Sequence, residues 1–204
     1  MMDSTYIFKI VIGGAGAVGK TTLLHRYLNG SFLPNTTMTI GVAFHAKEIY
    51  YENIQKRVKL SLWDLGGQER FRFLQSNYSA GARAGIVFFD MSRIGTITQV
   101  KNWVDMFRSH ASPGIPIYLG GTKMDLLDDS QIDEVSSIAM ETAQNYGLLC
   151  YVPTSSKRGD NVDALLQHIV DSLLARCQGP MEKALASTNR VLPHEARGNA
   201  CIRP

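Results

Sequence analysis

Apolar positions along the chain follow two alternating patterns. Short runs rich in β-branched and aromatic residues read as strands buried on both faces: Ile7-Phe8-Lys9-Ile10-Val11-Ile12, Gly85-Ile86-Val87-Phe88-Phe89-Asp90, Ile115-Pro116-Ile117-Tyr118-Leu119-Gly120 and Leu148-Leu149-Cys150-Tyr151-Val152. Two further strands, Val42 to Tyr51 and Lys56 to Asp64, are joined near Glu52-Asn53, close enough for an antiparallel hairpin. Between these runs the apolar spacing predicts helices at Thr22 to Leu28, Thr98 to His110, Asp133 to Tyr146 and Val162 to Arg176. In the last of them Val162, Leu165, Leu166, Ile169, Val170, Leu173 and Leu174 form a full stripe, with Asp160 or Asn161 as the N-cap. The alternation predicts an α/β fold: a doubly wound, mostly parallel six-stranded sheet with helices on both faces.

The pattern stops at about Gln178. Gly179-Pro180 breaks the helix, and Pro193, Gly198 and Pro204 punctuate the remaining residues. Residues 1–177 therefore read as one domain. Residues 178–204 read as a mostly disordered tail, with a short helical piece at Met181 to Ala186. A length of 204 residues with 45% hydrophobic composition is ample for a single core. The net charge of +3, without a long basic block, argues against a nucleic-acid surface. Cys150, Cys177 and Cys201 are widely spaced and suggest neither a metal site nor a disulfide framework, so a reducing compartment is expected. No apolar run is long enough for a membrane span, and Met1-Met2-Asp3-Ser4 lacks the marks of a secretory signal. The expectation is a cytoplasmic monomer whose membrane contact is at most peripheral.

The chemistry begins at Gly14-Ala15-Gly16-Ala17-Val18-Gly19-Lys20-Thr21, which satisfies G-x-x-x-x-G-K-[ST] between a strand and a helix. Glycines let the backbone curl so that N–H groups and the helix N-terminus point at phosphate oxygens. In this pattern Lys20 reaches the β- and γ-phosphates and the Thr21 hydroxyl ligates Mg²⁺, with Thr22 following on the helix. A glycine-rich turn with no ligand is the plain alternative. Further on, Trp63-Asp64-Leu65-Gly66-Gly67-Gln68 leaves the end of a strand, where doubly wound folds bind ligands. There Asp64 can hold Mg²⁺ through water, Gly67 can offer an N–H to the γ-phosphate, and Gln68 can orient an attacking water. A Gly-Gly turn opening a polar helix would look similar.

Two later segments address the base. In Gly121-Thr122-Lys123-Met124-Asp125 a carboxylate can accept two hydrogen bonds from guanine N1–H and N2, a pair of donors that adenine lacks. The Lys123 stem can lie along the base, although an exposed lysine and a capping aspartate would read the same way. Thr154-Ser155-Ser156-Lys157 is ordinary loop composition by itself, but its small residues would let N–H groups reach guanine O6.

Taken in order, these residues resemble the Ras superfamily of small GTPases over roughly residues 6–176. Phe32 and Thr39-Ile40-Gly41-Val42 look like the first switch segment, closest to the Rab branch. The resemblance implies that Thr39 ligates Mg²⁺ and senses the γ-phosphate, and that Phe32 packs on the guanine ring. It also implies a GTP/GDP switch with slow hydrolysis, in membrane trafficking or related signalling. Effectors, an exchange factor and a GTPase-activating protein would meet residues 32–44 and 65–80. Trp63 and Arg70-Phe71 are Rab-like in placement, with Trp63 facing effectors or half-buried in its strand. A GTP-holding scaffold with negligible hydrolysis remains the alternative; a P-loop kinase or ATPase would need a different base site.

The chain departs from the family at several places. Asp64-Leu65-Gly66-Gly67 is the form of the Arf branch, where most Ras and Rab members carry alanine before the γ-phosphate glycine. Thr122 stands where most have asparagine, which predicts altered bracing of the phosphate loop. Ser156 replaces an alanine, and Thr36 stands near where many members carry a tyrosine that lids the phosphates, so faster nucleotide loss or a more open first switch is expected. Ala17 replaces a common glycine and is expected to be harmless, whereas Gly16 fills a position that must stay small. Cys201-Ile202-Arg203-Pro204 has the length of a C-a-a-X box but the wrong last residues, so prenylation is not expected.

Overall fold

The computed structural model describes residues 5–52, 54–68 and 72–177, with main chain only at 72–74. The expectations for the 178–204 tail, for Cys201 and for Arg70-Phe71 lie outside the described residues.

The elements run β1 (Thr5–Gly14), α1 (Lys20–Asn29), β2 (Val42–Tyr51), β3 (Lys56–Leu65), α2 (Arg72–Ser79), β4 (Ala84–Asp90), α3 (Val100–His110), β5 (Ile117–Thr122), α4 (Asp129–Asn145), β6 (Tyr151–Pro153) and α5 (Val162–Cys177). Six strands form one sheet in the order β2-β3-β1-β4-β5-β6, parallel throughout except where β2 runs antiparallel to β3. The expected sheet is thus present. The register matters for function because it brings functional residues to one edge. Asp64 lies beside Ile12, Gly14 beside Phe88, and Asp90 beside Thr122 at the C-terminal ends of their strands.

Alternating side chains feed two cores. Phe8, Ile10 and Ile12 of β1 pack with Leu23, Leu24 and the α5 stripe on one face. Val11, Val87 and Phe89 pack with Trp103, Val104 and Phe107 of α3 and Ala139 and Ala143 of α4 on the other. All seven residues of β4 and all six of β5 are buried, which is why their sequences show no polar alternation. Glycine sets how closely α3 can approach: a Cβ at Gly13 or Gly85 would overlap the Trp103 and Phe107 rings.

Three elements differ from the sequence expectation. The 3-10 turn Ile94–Gln99 delays α3 to Val100. Helix α4 starts at Asp129 because Asp128 and Gln131 form a capping box, four residues before the apolar periodicity becomes clear. Helix α2 has no counterpart in the sequence reading; it is short, and it packs against α3. Cys150 is fully buried in the core beneath α5. No helix among the described residues is long and apolar enough to cross a membrane.

In β5, a Cβ at Gly120 would fall inside the van der Waals envelope of the buried Phe88 ring. Gly120→Ala is expected to cost about 1–3 kcal/mol through overpacking. Urea unfolding checks this, and an unchanged midpoint would mean that Phe88 has room to move.

Candidate functional site

The site starts at the end of β1. From Gly14 the chain leaves the sheet edge, with Gly14 at φ 135, Ala17 at φ 59 and Gly19 at φ 99. A Cβ at Gly14 would collide with the Phe88 carbonyl, so the loop can begin only with glycine there. Ala17 holds a left-handed conformation with its Cβ in place, at a cost on the order of 1 kcal/mol. Helix α1 then begins with no capping side chain and no acid in its first turn, unlike the boxed start of α4. Its first N–H groups are left for an anion.

Lys20 is buried, and its Nζ donates to the carbonyls of Gly14 (2.8 Å) and Ala15 (2.9 Å). Burial pushes its amine down to about 8, with the nearby Asp64 carboxylate pulling the other way. Beside it, three segments far apart in sequence converge. Thr21 Oγ1 lies 2.7 Å from Thr39 Oγ1 and donates to Asp64 Oδ2, which Thr39 Oγ1 also approaches at 3.3 Å. Asp64 Oδ1 is buried with no hydrogen-bond partner among the described residues. Burial pushes the Asp64 carboxyl up, against the hydrogen bond from Thr21 and the charge of Lys20. An orphaned acid oxygen with two hydroxyls is a hard-oxygen set of the kind that suits Mg²⁺ completed by phosphate and water.

The second of the two switch-like segments is pressed against both the phosphate loop and the first. A Cβ at Gly67 would lie 2.5 Å from the Gly16 nitrogen. One at Gly66 would lie 2.8 Å from the Thr39 carbonyl and 2.9 Å from that of Gly41. Gly66 N donates to Gly41 O at 2.8 Å, and the buried Gln75 side chain donates to Gly66 O at 2.7 Å. The Gly-Gly pair is therefore required by close main-chain approach. Gln68 Nε2 rests 2.9 Å from Met38 Sδ, and the cleft wall includes Gly67 but not Gln68. Thr36 Oγ1 lies 3.1 Å from Thr22 Oγ1, which ties the first segment to the start of α1.

The cleft has a volume of about 470 Å³ and brings together most of the residues singled out from the sequence. Gly16, Ala17, Gly19, Lys20, Thr21 and Thr22 form its floor; Phe32, Thr39 and Gly67 stand on one side, and Thr122, Lys123, Asp125, Ser156 and Lys157 on the other. Gly14 and Val18 are not part of the cleft lining. Ser155 is buried and supports the wall: its Oγ donates to Asp125 Oδ1 at 2.6 Å. Thr122 Oγ1 donates to the Val18 carbonyl, a direct brace between this wall and the loop.

Sequence reasoning missed Asp90 and Arg93. The Asp90 side chain is fully buried and pairs with Lys123 Nζ at 2.7 Å and Arg93 Nε at 2.8 Å. Burial pushes its carboxyl up, but hydrogen bonds from Lys123, Ser92 and Arg93 outweigh this and hold it below the usual range. That stabilisation is present above the ordinary carboxylate pKa and is lost as pH falls through the lowered one. The available signal was an acid ending a strand on the ligand-binding edge, the same signal that pointed to Asp64.

The model of the Ras family matches residues 9–175. The chain is 33% identical to Ras-related protein Rab-27B of Rattus norvegicus over 190 residues, covering 89% of this chain and 86% of that protein. It is 32% identical to Ras-related protein Rab-22A of Mus musculus, covering 95% and 97%. Against Ras-related protein RABA5a of Arabidopsis thaliana the identity is 34%, over 82% of this chain and 74% of that one.

Gly66→Ala is expected to force the Thr39–Gly41 main chain outward. Hydrogen exchange of the 36–42 segment should then rise several-fold, with a loss of about 1–3 kcal/mol in stability. Wild-type exchange in the variant would show that the two segments are not held together through this glycine.

Proposed function

The chain belongs to the Ras family, on its Rab-like side, and is a GTPase; on that premise we propose that it is a slow, Mg²⁺-dependent switch whose output is the surface formed by residues 32–44 and 65–80. The observation that carries the proposal is the meeting of Thr21, Thr39 and Asp64 beside Lys20. A nucleotide that needs Thr39 to complete its cation site holds the first switch in place. Its hydrolysis removes the phosphate that Thr39 senses and releases that segment.

Each residue then has a role. Thr21 and Thr39, with Asp64 through water, would hold Mg²⁺, which when bound neutralises charge across the β- and γ-phosphates. Lys20 and the N–H groups of the phosphate loop offset charge on the transferring group, and the Gly67 N–H faces the γ-phosphate. Asp125 accepts from the guanine N1–H and N2 amino group while Ser155 fixes its other hydrogen bond. Lys123 and Phe32 flank the base, and the main chain of Ser156 and Lys157 closes its far edge. Gln68 orients the attacking water after leaving Met38. Intrinsic turnover is low because, among the described residues, no arginine lines the cleft to meet the γ-phosphate. A GTPase-activating protein supplies one, a factor on the order of 10³–10⁵.

A surface suited to effectors accompanies these segments. Phe44 and Trp63 rings lie 5.3 Å apart edge to face, and Trp63 and Tyr78 lie 5.4 Å apart. Phe44 is exposed, while Trp63 and Tyr78 are half-buried. Partners that read both segments at once would report nucleotide state, in trafficking or related signalling, with membranes reached through such partners.

The resting place of Gln68 against Met38 favours a second reading, a GTP-holding scaffold with negligible hydrolysis. Single-turnover hydrolysis decides between the two. We expect Gln68→Leu to be at least tenfold slower than wild type; equal rates select the scaffold. Asp125→Ala should weaken guanine nucleotide binding on the order of 100-fold or more, since two charge-assisted hydrogen bonds at about 1.5–3 kcal/mol each are lost. Competition between GTP and ATP reads this directly, and an unchanged preference would refute the role of Asp125.

A further inference from the structure

The buried Asp90 carboxylate is the anchor of a brace that reaches the phosphate loop. Its Oδ1 accepts from Ser92 N (3.0 Å) and Ser92 Oγ (2.6 Å). Its Oδ2 takes Arg93 Nε (2.8 Å) and Lys123 Nζ (2.7 Å). Both cations then extend to the same main-chain atom: Arg93 Nη2 donates to Ala17 O at 2.9 Å and Lys123 Nζ at 3.2 Å. Lys123 has a second task along the base. The Arg93 guanidinium fork is given over to the brace, spanning Asp90 and Ala17 with separate N–H groups.

The neighbouring carbonyl shows why a second brace is useful. Thr122 Oγ1 donates to Val18 O but also lies 3.0 Å from Phe89 O. A hydroxyl has one proton and can serve one of these acceptors at a time. Its closer contact is with Val18 O, and the adjoining loop carbonyl, that of Ala17, is reached by Arg93 and Lys123 instead. Ala17 is also the residue whose left-handed main chain is held against the strain of its own Cβ. An ion pair as exposed as that of Arg93 contributes little by itself. Its bond to a loop carbonyl fixes the direction of the peptide group whose partner N–H groups face phosphate.

We propose that Arg93 is a positioning residue for nucleotide retention: it holds the phosphate loop by the Ala17 carbonyl, next to the Val18 carbonyl that Thr122 braces. This role rests on the nucleotide-binding reading of the cleft.

Dissociation of a fluorescent GDP analogue from the full chain in excess Mg²⁺ tests it. Wild type must first bind the analogue; absence of binding overturns the nucleotide reading and this proposal with it. Given binding, Arg93→Ala is expected to release nucleotide about tenfold faster, the effect of one hydrogen bond of about 1.4 kcal/mol. Hydrogen exchange of residues 15–19 in the GDP-bound variant should rise several-fold with it, because the Ala17 peptide loses its Arg93 donor. An unchanged off-rate in Arg93→Ala overturns the proposal and leaves the nucleotide reading intact. So does a faster off-rate with wild-type exchange of residues 15–19, since Arg93 would then act elsewhere than on the loop.

Discussion

A loop that turns its N–H groups inward toward an anion must turn its carbonyls outward, and each carbonyl buried in this way needs a donor. Much of the structure around the cleft answers that requirement. Lys20 serves Gly14 and Ala15, Arg93 and Lys123 serve Ala17, Thr122 serves Val18, and the Leu23 N–H of α1 serves Gly19. The donors come from the loop's own helix, from the segment after β4 and from the end of β5. The parallel register that brings Asp90 beside Thr122 is what allows those last two to act together.

A second constraint couples the segments before β2 and after β3 to the loop after β1. Gly66 and Gly67 lie so close to Thr39, Gly41 and the phosphate loop that no side chain fits. The Arf-like Gly-Gly pair is thereby explained on steric grounds within this chain. Gln75 secures the pair from α2 by its bond to the Gly66 carbonyl. The segments at Thr39–Gly41 and Gly66–Gly67 and the loop after β1 are thus joined by close main-chain contacts. The aromatic trio at Phe44, Trp63 and Tyr78 spans β2, β3 and α2, the elements that flank those segments.

Much of this was legible in advance. The six strands, the antiparallel hairpin and four of the five helices follow from apolar spacing, because a side chain's face is set by its period. The loop from Gly14 to Thr21, Asp64, Gly67 and Asp125 could be singled out because the chemistry proposed for them depends on residue types within a few positions of one another. Helix α2 was not found, since eight residues give too short a pattern to stand out from a loop. The early start of α4 was missed because a capping box and not an apolar stripe sets it.

What the sequence determined by itself is the local main chain: where it can take positive φ, where a helix begins uncapped, and where an acid ends a strand. What only the tertiary structure decided is which distant groups complete those local features. Arg93 and Ala17 are 76 positions apart, and no periodicity or motif links them. The convergence of Thr21 with Asp64 spans 43 positions and that with Thr39 spans 18. The physical reason is that donor geometry along a loop is a property of consecutive φ and ψ angles. The partners of its carbonyls are chosen by sheet order and register, which exist only once the strands have paired.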